Sequence, residues 1–373
     1  MNIEDALVAS AQRFVDRELA PHFARGHVPA IDASLSAAAA RADLFGISVP
    51  VAFGGSAMPF SCKARITEIL AGADFGLAMA LVNSHNTADN LARNAKPEVA
   101  NRYVPAIIAG KMAACTALTE PGAGSDFAAI STRATAVDGQ WRLDGAKAWI
   151  INATRTGVVV CYAQTVPGSG AAGIACFVVD AARAGFVRGP AITSAVPAMG
   201  TGAFHLDGYM ASADEMLFAP GQAFKRALTS INGARIYVGA MCCGMVANAL
   251  DIVAAYGRER RTFGAPLHAH QAWRFALAEA SVDLEAARLV VYDAAAKLDA
   301  GLDVQGAAAR AKVFATGMAH RHLGALLHAM GAEGLKDQYP FRRHLEAAQA
   351  AAFTDGSTEM LKERIARELE KRP

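Results

Sequence analysis

Gly168-Ser169-Gly170-Ala171-Ala172-Gly173 runs directly into Ile174-Ala175-Cys176-Phe177-Val178-Val179. The first six residues fit the GxGxxG spacing of a dinucleotide-binding turn, and they follow a β-rich run, Gly157 to Tyr162. That motif works only when a helix comes next, because the helix N-terminus meets the pyrophosphate. Here the next run is β-branched and aromatic, which reads as a strand. The glycines therefore read as a hairpin loop, and any dinucleotide must be held by another architecture.

Outward from this hairpin, Trp141-Arg142-Leu143, Ala148 to Ile151 and Phe204 to Leu206 are further short β-rich runs. Turns such as Val137-Asp138-Gly139-Gln140 and Leu143-Asp144-Gly145 separate them. The spacing predicts a small β-barrel or sandwich over 111–220. Residues 1–110 read as helical: Ala6, Leu7, Ala9, Phe14 and Val15 form a rough stripe, and Ala37 to Phe45 repeats the pattern up to Gly46. Ile66 to Val82 and Thr87 to Asn94 are further helix candidates. Over 221–373, Arg235 to Arg258, Gln271 to Ala300 and Val304 to Met330 are each long enough for a bundle helix. The expected fold is mainly α with a central β-domain.

Of the 373 residues, 53% are hydrophobic and 19% charged, the balance of a well-packed globular chain. A net charge of +2 gives no argument for nucleic acid or a membrane surface. The six cysteines show no CxxC pair and no zinc spacing, so they read as buried small residues in a reducing compartment. His268/His270 and His320/His322, at i, i+2, do not share a helix face; they read as solvated or interface residues, and no metal site is expected. The N-terminus lacks the basic and apolar regions of a signal peptide, and no uncharged apolar run reaches about 18 residues. A cytoplasmic protein without a membrane span is the expectation.

Three segments carry chemistry. Thr119-Glu120-Pro121-Gly122-Ala123-Gly124-Ser125-Asp126 combines glycines that let a ligand approach the backbone with hydroxyl and N–H groups. Arg260-Arg261-Thr262-Phe263-Gly264, with Gln271 beyond, offers guanidinium groups suited to phosphate. Phe353-Thr354-Asp355-Gly356-Ser357-Thr358-Glu359-Met360 places a carboxylate at a loop-to-helix junction, where Asp could also act as an N-cap.

Together these segments resemble the acyl-CoA dehydrogenase family of flavoproteins, and the resemblance covers nearly the whole chain. It implies a helical domain over 1–110, a middle β-barrel over 111–220 and a C-terminal four-helix bundle over 221–373, with FAD as cofactor. Leu118, Thr119, Ser125, Trp149, Ile151 and Ser357 are implied neighbours of the flavin, with Ser125 and Arg235 near the thioester. Arg260, Thr262, Phe263 and Gln271 are implied to reach the FAD of a neighbouring subunit, which requires a homodimer or homotetramer. Asp355 is implied to be the base that removes the substrate's α-proton.

The chain departs from the family pattern at several positions. Asp355 stands where the dehydrogenases usually carry Glu, and it is shorter by one methylene, roughly 1.5 Å of reach. Ile151 replaces the Thr whose hydroxyl meets flavin N5. Ala332, His328 and Glu346-Ala347 replace glycine, glutamine and an Arg-Asp pair. Ala234 leaves no acid at the family's second base location, and Asn232 stands where some members place an acid. The implied reaction is α,β-dehydrogenation of an acyl thioester carried by CoA or an acyl carrier protein. Nitroalkane oxidation with an Asp base, and a non-catalytic flavin-binding role, are the alternatives.

Overall fold

Eight strands form one sheet: β1 (Ala113–Ala117), β2 (Arg133–Val137), β3 (Gln140–Ile150), β4 (Thr156–Gln164), β5 (Ile174–Asp180), β6 (Phe186–Ala191), β7 (Gly202–Ser212) and β8 (Met216–Phe218). They come from a computed structural model that describes residues 2–370. The order is β6-β7-β3-β2-β4-β5-β8, with β1 pairing parallel to β4. β4 and β5 pair antiparallel from Val158–Asp180 to Gln164–Ile174, so residues 165–173 are a hairpin loop and not a dinucleotide turn.

Both faces of β4 and β5 are buried, which is why their sequences are continuously apolar instead of alternating. Val158, Val160, Tyr162, Ile174, Cys176 and Val178 pack with Leu91, Tyr103, Val104 and Ile107 from the helices Phe75–Asn94 and Pro97–Ile108. Val159, Cys161, Ala163, Ala175, Phe177 and Val179 pack with Leu143, Phe204, Leu206 and Tyr209 of β3 and β7. Trp141 of β3 meets Phe177 of β5 at 5.7 Å between ring centroids, so the sheet curls over its own core.

The expected strands Trp141–Leu143 and Ala148–Ile151 merge into one strand, β3, which ends at Ile150, leaving Ile151 in the turn that follows. Asp144-Gly145 is not a turn. Gly145, at φ +150°, lets β3 pass close to Thr132, whose Cα would lie 2.6 Å from an added Cβ.

Two compact units divide the chain. One takes Ile31–Met58 and Met79–Ser230, including the sheet. The other takes residues up to Ala30, Pro59–Ala78 and those from Ile231 onward. The expected helices shift in detail. Ala33–Arg41 ends before Phe45, and the run Ile66 to Val82 breaks at Asp74. Asp74 accepts a hydrogen bond from the Leu77 N–H at 2.8 Å, ending Phe60–Ala73 and opening Phe75–Asn94.

In the second unit, Gln305–Met330 packs against Gln271–Asp299, Phe341–Phe353 and Thr358–Leu369. Its buried stripe includes Ala308, Lys312, Ala315, Ala319, Leu323 and Leu326. Ala223–Glu259 is long and apolar enough to cross a membrane by length and composition alone, a test that soluble core helices also pass. All six cysteines are buried, and none is in a disulfide.

Candidate functional site

The Asp355 turn follows Phe341–Phe353. The last carbonyls of a helix have no partner within it and need outside donors. Here two buried cations donate to the end of the helix and to the turn that follows it. Lys312 Nζ donates to the carbonyls of Thr354, Gly356 (2.5 Å) and Ala352 (3.5 Å). Arg235 Nε donates to the Asp355 carbonyl at 3.1 Å, while its Nη1 donates to Asn232 Oδ1 at 2.8 Å. Asp355 itself lies in the left-handed region, at φ +56°, which Asp and Asn tolerate better than most residues. Gly356 follows at φ +103°.

Asp355 is not a helix N-cap. That position belongs to Ser357, whose side chain accepts from the Met360 N–H at 3.4 Å and opens Thr358–Leu369. Burial raises the Asp355 carboxyl above the usual aspartate range, and Lys312 and Arg235 pull it partly back. A raised carboxyl whose side chain is released from capping is a better proton acceptor than an ordinary aspartate.

In the sheet unit, Glu120 and Lys147 are both buried and form an ion pair at 2.8 Å. Glu120 also accepts from the Ser131 N–H (2.6 Å), the Ser131 hydroxyl (2.8 Å) and the Thr132 N–H (3.0 Å). Lys147 donates as well to the Leu118 carbonyl at 3.0 Å. The Ala148 N–H donates to the Thr119 carbonyl at 3.1 Å, so the Thr119–Asp126 loop is tied to the end of β3. Burial alone would raise the Glu120 carboxyl; Lys147 and the hydrogen bonds outweigh it and hold it down to about 2.

Just beyond, a register shift in the β3–β7 pairing lies between Lys147 and Ile150. Trp149 sits in this bulge at φ +60° with 58% of its surface exposed, so a large indole faces outward from a core-forming strand. Leu118, Thr119 and Ile151 are half-buried, and Ser125 is exposed. An added Cβ at Gly122 or Gly124 would meet nothing within 4 Å. An open glycine loop beside an uncovered indole fits a flat heteroaromatic ligand such as a flavin.

The Arg260 segment forms its own small hairpin, β9 (Arg261–Thr262) with β10 (Ala265–Pro266). Phe263 at its tip is 99% exposed, Arg260 and Gln271 are exposed, and Thr262 is bonded to His270 at 3.2 Å. Asp355, Arg235 and Asn232 come together in the helical unit, whereas Thr119, Trp149 and Ile151 gather in the sheet unit. The histidines differ from expectation in one place. His322 is not solvated: it is buried and bonded to Asp283 at 2.8 Å. Among the described residues no cluster of three or more His, Cys, Asp or Glu side chains could hold a metal.

Sequence reading missed Lys312. The available signal was a charge placed on an apolar stripe, four residues after Ala308 and three before Ala315.

Helices, a curled sheet and a bundle of long helices, in that order along the chain, define a helix–sheet–helix class of protein. Three family models match in the same order: the acyl-CoA dehydrogenase N-terminal domain over residues 2–111, middle domain over 115–209 and C-terminal domain over 221–370. The chain belongs to the acyl-CoA dehydrogenase family. It is 30% identical over 358 residues to the "Probable acyl-CoA dehydrogenase fadE25" of Mycobacterium leprae, covering 95% of this chain and 92% of that one. It is 31% identical over 320 residues to the mitochondrial short-chain specific acyl-CoA dehydrogenase of Bos taurus, covering 85% and 77%. The solved butyryl-CoA dehydrogenase of Megasphaera elsdenii superposes with a TM-score of 0.93 at 26% identity, covering 100% of this chain and 99% of that one.

Proposed function

We propose that this enzyme oxidises an acyl thioester to its α,β-unsaturated form, with Asp355 taking the α-proton. The observation that carries the reading is the state of Asp355. Ser357 has taken over helix capping, two cations hold the turn by its carbonyls, and burial raises the carboxyl. Family membership makes FAD the cofactor. When bound, FAD supplies the two-electron acceptor for the reaction.

The residues of this chain then have distinct tasks. Leu118, Thr119, Ser125, Trp149 and Ile151 would border the flavin ring, with Ser357 at the turn. Arg260, Thr262, Phe263 and Gln271 would bind the phosphate and adenosine portion in a second copy of the chain. The exposed Phe263 supports this reading, because a bare phenyl ring at a hairpin tip gains by burial. Phe275, Val282 and Leu289, exposed at seven-residue spacing on one helix, are a second apolar stripe suited to a homo-oligomer. Asp355 Oδ receives the proton. Arg235 keeps the turn in place through the Asp355 carbonyl, and CoA or an acyl carrier protein brings the acyl group.

One observation favours a second reading. An Asp base, together with Ile151 where a hydroxyl is usual, suits a carbon acid more acidic than a thioester, such as a nitroalkane. Anaerobic titration of the purified flavoprotein separates the two. Acyl-CoA and acyl carrier protein thioesters that bleach the flavin support the first reading. Bleaching by nitroalkanes alone, with hydrogen peroxide released in air, replaces it with the second. A flavin that no member of either series reduces would leave only a non-catalytic role.

A further inference from the structure

We propose that Lys312 is a positioning residue for the Asp355 base: its buried ammonium gathers the carbonyls of Ala352, Thr354 and Gly356 and so fixes the turn that aims the carboxylate. The proposal rests on the reading of Asp355 as the base. Lysine has three N–H donors and no acceptor, and three carbonyls converge on Nζ. Those bonds use its full donor capacity on the backbone. Lys312 therefore leaves the Asp355 oxygens free to accept a proton, and acts on them through geometry and field alone.

Helix chemistry explains why a charged residue is tolerated there. Ala352 lies in the last turn of the helix Phe341–Phe353, whose terminal carbonyls carry partial negative charge, and a cation at that end is favoured. A main chain held at φ +56° at Asp355 needs restraint from outside, since a non-glycine residue gains nothing intrinsically from that conformation. Lys312 grips the carbonyls on both sides of Asp355, and Arg235 grips the one on Asp355 itself. The two cations come from different helices, Gln305–Met330 and Ala223–Glu259, so the turn is braced from two directions.

The charged and titratable groups around this cluster are few. Asp355 feels Lys312 and Arg235. Lys312 is drawn down to about 8 by burial, against Asp355, Cys242 and Glu359, with Arg235 reinforcing the shift. Arg235 faces Arg364 as well as Asp355. Removing the Lys312 charge takes away a cation that favours ionised Asp355, so the carboxyl should protonate at higher pH.

The test uses the FAD-loaded protein and infrared difference spectra, wild type against Asp355→Asn, to titrate the Asp355 carboxyl without substrate. The same difference is recorded in Lys312→Met and Lys312→Arg backgrounds, with flavin content as a folding control and Lys312→Gln as a substitute should Lys312→Met not fold. Loss of the charge should move the Asp355 midpoint up by about 1 pH unit or more. Lys312→Arg keeps the charge but cannot direct a planar fork at three converging carbonyls. It should hold the midpoint near wild type while slowing flavin reduction. An unmoved midpoint in the uncharged variants, with stability alone reduced, would overturn the proposal and leave Lys312 a structural cap. That result would not touch the base assignment, which fails separately if Asp355→Asn still reduces its flavin at the wild-type rate.

Discussion

Arg235 donates to the main-chain carbonyl of Asp355 at 3.1 Å, and neither Arg235 nor Lys312 forms an ion pair with the Asp355 carboxylate among the described residues. Both cations hold the turn by its backbone. This arrangement keeps positive charge near the carboxylate without tying up its oxygens in an ion pair. On the proposed reading, the same bracing would let Asp serve where a longer Glu is usual. The reach of the side chain is set by where the backbone is held, and misplacement on the order of 1 Å can cost about 10²-fold in rate.

The buried pair of Glu120 and Lys147 should dominate the stability of the Thr119–Asp126 loop. Glu120→Gln leaves an ammonium buried without its counter-charge, at a cost of about 3–5 kcal/mol. The pH dependence has a definite sign. Glu120 titrates at about 2 when folded and near 4.5 when unfolded, so its contribution is fully present above the higher value. It is lost as pH falls toward 2. Chemical denaturation between these limits should show wild type losing stability faster than Glu120→Gln. Parallel curves would mean that Glu120 is not held ionised by Lys147.

Arg260→Ala should lower FAD occupancy. A phosphate deprived of one charge-assisted bond loses roughly 1.5–3 kcal/mol, which is about 10-fold or more in affinity. Flavin content after purification and the oligomeric state by light scattering are the readouts. Full FAD retention by the variant would count against a role for the exposed β9–β10 hairpin in cofactor binding.

Ile151 should tune the flavin without holding it. Its half-buried side chain follows β3 in the turn after Trp149, where an apolar group can pack on a ring but cannot hydrogen-bond it. Ile151→Thr should keep FAD content while shifting the reduction potential or the rate of flavin reduction. If spectrum, potential and kinetics all match wild type, Ile151 does not face the reactive edge of the ring.

Much of this organisation is legible in the sequence, and the exceptions have physical causes. The strand after Gly173 gives away the hairpin because β-branched residues with no helical period follow the glycines. The helix break at Asp74 is hidden because apolar residues continue on both sides; only the side chain's bond to the Leu77 N–H shows it. Asp144-Gly145 imitates a turn, yet the glycine serves a close approach to Thr132. At the C-terminal turn, Asp355 and Ser357 are both plausible caps by residue type. Deciding between them needs the backbone, which puts Asp355 in the left-handed region and Ser357 at the helix start. Lys312 is distant in sequence from the turn it holds, so its partners could not be read from local pattern at all.

The central claim is that Asp355 removes the proton. Asp355→Asn tests it most directly, because Asn tolerates the same left-handed backbone and keeps the volume but cannot accept a proton at neutral pH. The measurement is stopped-flow reduction of the bound flavin by the acyl thioester that reduces wild type fastest. FAD content should be unchanged, and the reduction rate should fall by about 10²–10⁴-fold. Reduction of the Asn variant at close to the wild-type rate would contradict it, and the base would have to be sought at another residue.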